Sequence, residues 1–168
     1  MDWVQFIVQW LHVLMGITWF GSAITINFIV IPAMARLPLD RQREFGMHLG
    51  ERADYVLRRA AMAVIVLGIL RGTVWGQIRS VDALTTQYGI TWLVALIAGL
   101  ATLTWGIRFV GAGIFRMNAI PVDQALNSDG SPTPAFAAAF ATVKRNGLLE
   151  LIGFFVIFTC MILMRFGL

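Results

Sequence analysis

Charge is what this sequence has least of. Asp, Glu, Lys and Arg make up 13% of the 168 residues, about half the share in a soluble domain, while 58% are hydrophobic. That balance excludes an ordinary soluble protein. Lysine is nearly missing, since Lys144 is the sole lysine among 13 basic residues and the rest are arginine. Cysteine is reduced to Cys160 inside an apolar run, so no disulfide forms within the chain. Internal repeats, a P-loop, a Rossmann glycine motif and a zinc-ligand motif are all lacking. The net charge of +4 sits beside apolar runs and is interleaved with acids, which argues against nucleic acid as a partner and for membrane orientation.

What is present is apolar length. A bilayer crossing takes about 20 mostly apolar residues, so this chain holds four crossings with loops and no sizeable soluble domain beside them. No formal charge occurs from Trp3 to Ala35, and Asp2 has the wrong sign for the start of a secretory signal, so this run reads as a retained first helix. The expected spans are about 4–31, ended near Pro32; 60–78, interrupted by Arg71; 91–107; and 148–164, with Glu150 close to its start. The fold class is therefore all-α, an integral membrane four-helix bundle in one domain, surrounded by lipid. Residues 32–59 and 108–147 form the two long connections, and Phe45, Leu49, Tyr55 and Val56 among the charges predict that the second helix begins early. Those connections hold or flank Arg36, Arg41, Arg43, Arg52, Arg58, Arg59, Arg108, Arg116, Lys144 and Arg145, against Arg79 and Arg165 elsewhere. The positive-inside rule makes both connections cytoplasmic and both termini external. Asn127 to Pro134 is turn and linker chemistry, expected to be mobile.

Two ionisable residues fall within the spans. His12 lies about 13 Å below the outer end of the first helix, sharing a face with Val8, Met15, Gly16 and Trp19. With Gly16 leaving space one turn away, it suits a flat porphyrin bound through iron; a neutral histidine bonded to a neighbouring helix is the alternative. Arg71 lies about 10 Å deep, at nearly the same level, where it either pairs with porphyrin propionates or snorkels to the surface. Gly68, Gly72 and Gly76 line one side of that helix, a pattern for helix packing that also admits a macrocycle. Glu150 is expected to pair with Arg58, Arg59 or Arg108. His48, past the inner end of the first helix, is a surface residue beyond about 25 Å from His12. Met161 and Met164, beside Cys160 near the outer end of the last span, are packing residues, soft ligands for Cu(I), or the source of a sixth haem ligand.

The run Trp10-Leu11-His12-Val13-Leu14-Met15-Gly16-Ile17-Thr18-Trp19-Phe20-Gly21, followed by Phe28-Ile29-Val30-Ile31-Pro32-Ala33, resembles the opening helix of the CopD-like membrane proteins. Its Leu-His, then Trp seven residues on, then Gly pattern is also similar to the HemJ-type protoporphyrinogen oxidases and to the membrane part of bacterial urate oxidases. Leu57-Arg58-Arg59-Ala60 resembles their second helix, and Lys144-Arg145-Asn146 their approach to the last. The resemblance implies a bacterial-type plasma-membrane protein binding b-type haem, with His12 as axial ligand. The HemJ pattern has a second histidine where this chain reads Val30-Ile31-Pro32, and a third-helix lysine that Trp92 to Ile97 lacks. Protoporphyrinogen oxidase activity therefore does not carry over, and no catalytic residue is assigned.

The leading expectation is a haem b protein in electron transfer, to quinone or within a respiratory or photosynthetic assembly of membrane subunits or of copies of itself. Copper handling is the alternative, and a structural subunit without chemistry the third. The charge distribution yields a direct test. Asp129→Cys in a Cys160→Ala background is expected to react with an impermeant maleimide from the cytoplasmic side only. Labelling from outside overturns the orientation.

Overall fold

The computed structural model describes residues 2–167, and among these the chain is helical with no β-strand. Four long helices follow one another: α1 (Trp3–Met34), α2 (Leu39–Thr73), α3 (Gln87–Asn118) and α4 (Pro134–Arg165). Three of them, α1, α3 and α4, are long and apolar enough to cross a membrane, at 32 residues each. A helix of that length spans about 48 Å, more than the roughly 30 Å of hydrocarbon, so each has turns to spare. Their outward faces carry large apolar side chains such as Ile17 (64% exposed), Phe28 (61%) and Ile152 (59%). In water such continuous apolar surface is a liability, whereas in a bilayer it meets its own solvent. The chain is thus built as a membrane protein.

The helices begin where capping allows and run further than apolar length alone predicts. Asp2 starts α1 by accepting from the Val4 and Gln5 amides at 2.9 and 3.4 Å, and Thr86 starts α3 by accepting from Gly89 at 3.1 Å. Helix α1 ends at Met34, two residues past Pro32 and near where it was expected to end, and the turn ahead of the proline widens into a π-helical segment, Ile26–Val30. The wider turn makes room for a ring that otherwise meets the carbonyl four residues back. A second π-helical segment, Gly106–Gly111, lies within α3 and carries it on to Asn118.

The second helix begins early, as Phe45, Leu49, Tyr55 and Val56 predict, and the last helix also starts within its expected connection. The charged residues of 39–59 extend α2 as one rod, with Arg41 paired to Glu44 at 3.0 Å and Arg58 to Asp54 at 2.6 Å, one turn apart along its surface. With Arg58, Arg59 and Arg71 in its apolar half, α2 is not among the three strongly apolar helices, and it stops at Thr73 rather than at residue 78. Helix α4 starts at Pro134, well before 148, through Ala135, Ala137, Ala138, Ala139 and Ala141. Alanine is neutral on a hydropathy reading and the strongest intrinsic helix former.

Helix α1 packs along α2, and α3 along α4, with α2 against α3 and α1 touching α4. The central core joins Trp19 and Ala23 of α1, Ala60, Ala61 and Val64 of α2, and Leu151 and Phe154 of α4. Trp19 meets Phe154 edge-on at 4.7 Å between centroids, and Phe20 stacks on the same ring at 5.2 Å. Between α3 and α4, Trp105 donates to the Asn146 carbonyl at 3.1 Å, and the Thr102 side chain fills the space over Gly153. A smaller core of Leu39, Ala125 and Phe136 ties the 119–133 connection to the start of α2, where Arg43 donates to the Ile120 carbonyl.

The segment expected as a mobile linker forms a bonded turn. Asn127 and Ser131 pair through the backbone at 2.8 Å, Gly130 takes a positive φ of 80°, and Asp129 accepts from the Ser131 amide and hydroxyl at 2.9 and 2.6 Å. These bonds favour the ionised carboxylate and lower the Asp129 pKa below its ordinary value, with the hydroxyl the larger cause. A depressed pKa contributes stability that is present above the unfolded value and is lost as pH falls through the folded one. Titration followed by carboxyl carbon NMR is expected to place Asp129 below the ordinary carboxylate range. Ser131→Ala returns it toward that range.

Candidate functional site

His12 sits on the side of α1 turned to α2 and is buried, 8% exposed. Its Nδ1 donates to the Val64 carbonyl at 3.0 Å. In the neutral imidazole this bond fixes the tautomer and leaves the lone pair on Nε2, which makes no hydrogen bond among the described residues. This is the interhelical histidine bond that the sequence left open, yet it occupies one ring nitrogen and orients the other. Backbone carbonyls hold metal-binding histidines in the same way.

The imidazole fits because α2 has no side chain opposite it. A Cβ at Gly68 would come within 3.1 Å of His12 Cε1. One turn on, the Trp92 indole of α3 covers Gly72, where a Cβ would fall 2.6 Å from Cε2, and its Nε1 donates to the Gly68 carbonyl at 3.3 Å. The glycines of α2 thus receive two aromatic side chains instead of a neighbouring backbone. Gly76 lies beyond the helix end, in a turn where a Cβ would strike the backbone at Arg71 and Gly72. Gly16 faces Val64 at 3.7 Å, so it serves the approach of α1 to α2 and does not open space beside His12.

A cavity of about 70 Å³ lies between α1, α2, α3 and α4, lined by His12, Gly68, Arg71, Gly72, Met161 and Met164 together with Trp19, Tyr88 and Trp92. His12, Gly68, Arg71, Gly72, Met161 and Met164 therefore reach one space, whereas Gly16, Gly76 and Cys160 do not line it. Arg71 is half-buried there and makes no ion pair or hydrogen bond among the described residues. An unpaired guanidinium beside a neutral imidazole makes the cavity electropositive and suited to an anionic group. Among the described residues no three His, Cys, Asp or Glu side chains come together to hold a metal ion, so a metal here relies on His12 and the two thioethers. His48 is exposed on the polar half of α2.

A second, larger cavity of about 480 Å³ opens further along the bundle, lined by both π-helical segments and by Asn27, Arg58 and Glu150. Glu150 does not pair with Arg58, Arg59 or Arg108, contrary to expectation. Arg58 is held by Asp54, and Arg59 stacks over the Tyr55 ring at 3.7 Å, so both are satisfied within their own helix. Trp19 lines both cavities and forms the partition between them. Sequence reasoning missed Asn27, the one amide in the distal half of the first apolar run, and Trp92 and Tyr88, whose helix offered only apolar periodicity. No protein family, curated protein or solved structure matches the chain.

The fit of Trp92 on Gly72 is close enough to measure. Gly72→Ala is expected to lower stability in detergent by about 1–3 kcal/mol, the usual cost of overpacking, read as a lower thermal midpoint. Adding Trp92→Leu to that variant should recover most of the loss, which a clash elsewhere would not.

Proposed function

We propose that this chain is a b-type haem-binding integral membrane protein in electron transfer, folded as a four-helix bundle with both termini outside the plasma membrane. The observation that carries the reading is the His12 imidazole, buried between helices with Nδ1 bound to the Val64 carbonyl and Nε2 free in a cavity shared with an unpaired Arg71. When bound, an iron porphyrin supplies a one-electron couple whose potential follows its axial ligand and surroundings. His12 supplies the ligand lone pair, and its bond to Val64 raises the basicity of Nε2. Arg71 offers a bidentate donor to carboxylate groups, Gly68 and Gly72 allow close approach to the α2 backbone, and Met161 or Met164 gives a weak thioether ligand. In this reading the chain acts with other membrane subunits or copies of itself, and quinone is a candidate acceptor.

The donor chemistry fits the group, and the enclosed room sets the condition. About 70 Å³ is well below the roughly 300–1,000 Å³ of pockets that close around drug-sized ligands. A macrocycle therefore requires the Trp92 indole to leave Gly72. That small volume favours the second reading, a Cu(I) site of His12, Met161 and Met164, which the positive charge of Arg71 opposes.

Spectra of the oxidised and reduced detergent-purified protein, with metal analysis, decide between them. A Soret band with reduced α and β bands that His12→Ala removes, the helices staying inserted, is the expected result. An unchanged spectrum in His12→Ala overturns the ligand assignment, and stoichiometric copper without a Soret band favours the second reading.

A further inference from the structure

The larger cavity has a chemistry of its own. Two of its polar side chains, Asn27 and Glu150, present acceptors without a hydrogen-bond donor among the described residues. Asn27 spends its amide N–H on the Ala23 carbonyl at 2.9 Å and presents Oδ1 over Gly147, where a Cβ would lie 2.6 Å away. Glu150, half-buried one turn along α4 from Gly147, lays its carboxylate over Gly106 of α3, where a Cβ would lie 3.3 Å from Cδ. Neither oxygen of Glu150 receives a hydrogen bond or ion pair among the described residues. Two missing side chains, at Gly106 and Gly147, make room for two unsatisfied acceptors.

The charge around them has one sign in excess. Glu51, Asp54 and Glu150 line the cavity against Arg58 alone, and Arg58 is already held by both oxygens of Asp54 at 2.6 and 2.8 Å. Apart from Asn118 the remaining wall is mostly apolar, with Leu57, Leu103, Ile107 and Val110, and Trp19 lines it as well. The volume of about 480 Å³ falls within the range for small organic ligands, and an inorganic ion needs neither that room nor those walls. The π-helical segments Ile26–Val30 and Gly106–Gly111 both border this space, and such wide turns recur at functional sites.

We infer that this cavity is a binding site for an organic ammonium cation with an apolar body, its N–H groups directed to Glu150 and Asn27. The ammonium supplies the positive charge and the donors that the two acceptors lack, the body replaces lipid or water against the apolar wall, and the Trp19 ring offers a cation–π face. The site is independent of the haem or copper reading, because none of its polar groups lines the His12 cavity.

Calorimetry on the detergent-solubilised full chain tests it, with 2-naphthylmethylammonium and its neutral counterpart 2-naphthylmethanol as probes. The ammonium is expected to bind at one saturable site about tenfold or more tightly than the alcohol. Glu150→Gln should remove that difference by weakening the ammonium alone, and Val110→Trp, which fills the cavity with the carboxylate intact, should weaken both probes. Circular dichroism confirms that each variant is folded, and Val110→Trp carries the test if Glu150→Gln does not fold. No saturable ammonium binding, equal affinity for the alcohol, or unaltered ammonium binding in a folded variant overturns the assignment.

Discussion

Inside a bilayer there is no water to satisfy a polar group, so each one on an apolar helix must find its partner within the protein. That constraint organises this chain. The hydroxyls of Thr18, Thr102 and Thr159 return to the carbonyl one turn back on their own helices, at 2.9, 2.7 and 2.8 Å. Trp92 and Trp105 reach carbonyls of the neighbouring helix, Asn146 donates to the Phe109 carbonyl at 3.4 Å, and His12 is bonded to Val64. The helices are held in register by these bonds and by close packing, because lipid removes the hydrophobic gradient that gathers helices in water. Groups left over then carry information. Among the described residues, Gln9 keeps a buried Oε1 without a partner one turn from His12, and Arg71 and Glu150 are ionisable side chains without an ion-pair partner, each in its own cavity.

Small residues decide where those cavities lie. On α2, glycines receive His12 and Trp92 and leave little enclosed room; at the other level, Gly106 and Gly147 receive Glu150 and Asn27 around a far larger space. The same local device thus yields a tight metal-sized cavity and a roomy acidic one. Trp19 separates them, and its contact with Phe154 locks that partition into the core.

The membrane character and three apolar helices were legible because composition and apolar run length report burial in lipid directly. Counting residues along the helices put His12, Arg71, Met161 and Met164 at similar depths, and these four line one cavity with Gly68 and Gly72, whereas Gly16, Met15 and Cys160, read beside them, do not. What could not be counted was rotation. Gly16 lies on the His12 face of the wheel, yet it meets Val64, since the crossing of two helices decides which residue of a face sees the neighbour. The early start of α2 was legible from Phe45, Leu49, Tyr55 and Val56 among its charges, whereas the alanine-rich start of α4 read as connection because hydropathy does not report helix propensity. Glu150 was expected beside Arg58, Arg59 or Arg108, and local contacts along α2 hold the first two, Arg58 on Asp54 and Arg59 over Tyr55.

The two wide turns have a consequence for how these helices are to be read. A π-helical turn holds one more residue than an α-turn, and one residue is a rotation of about 100° about the axis. Residues of α1 beyond Val30, and of α3 beyond Gly111, are therefore a fraction of a turn out of phase with a helical wheel drawn from the other end. A single wheel assigns the wrong azimuth to the last four residues of α1 and the last seven of α3. Each helix is a long segment and a short terminal one in series, joined by a phase shift written into the backbone.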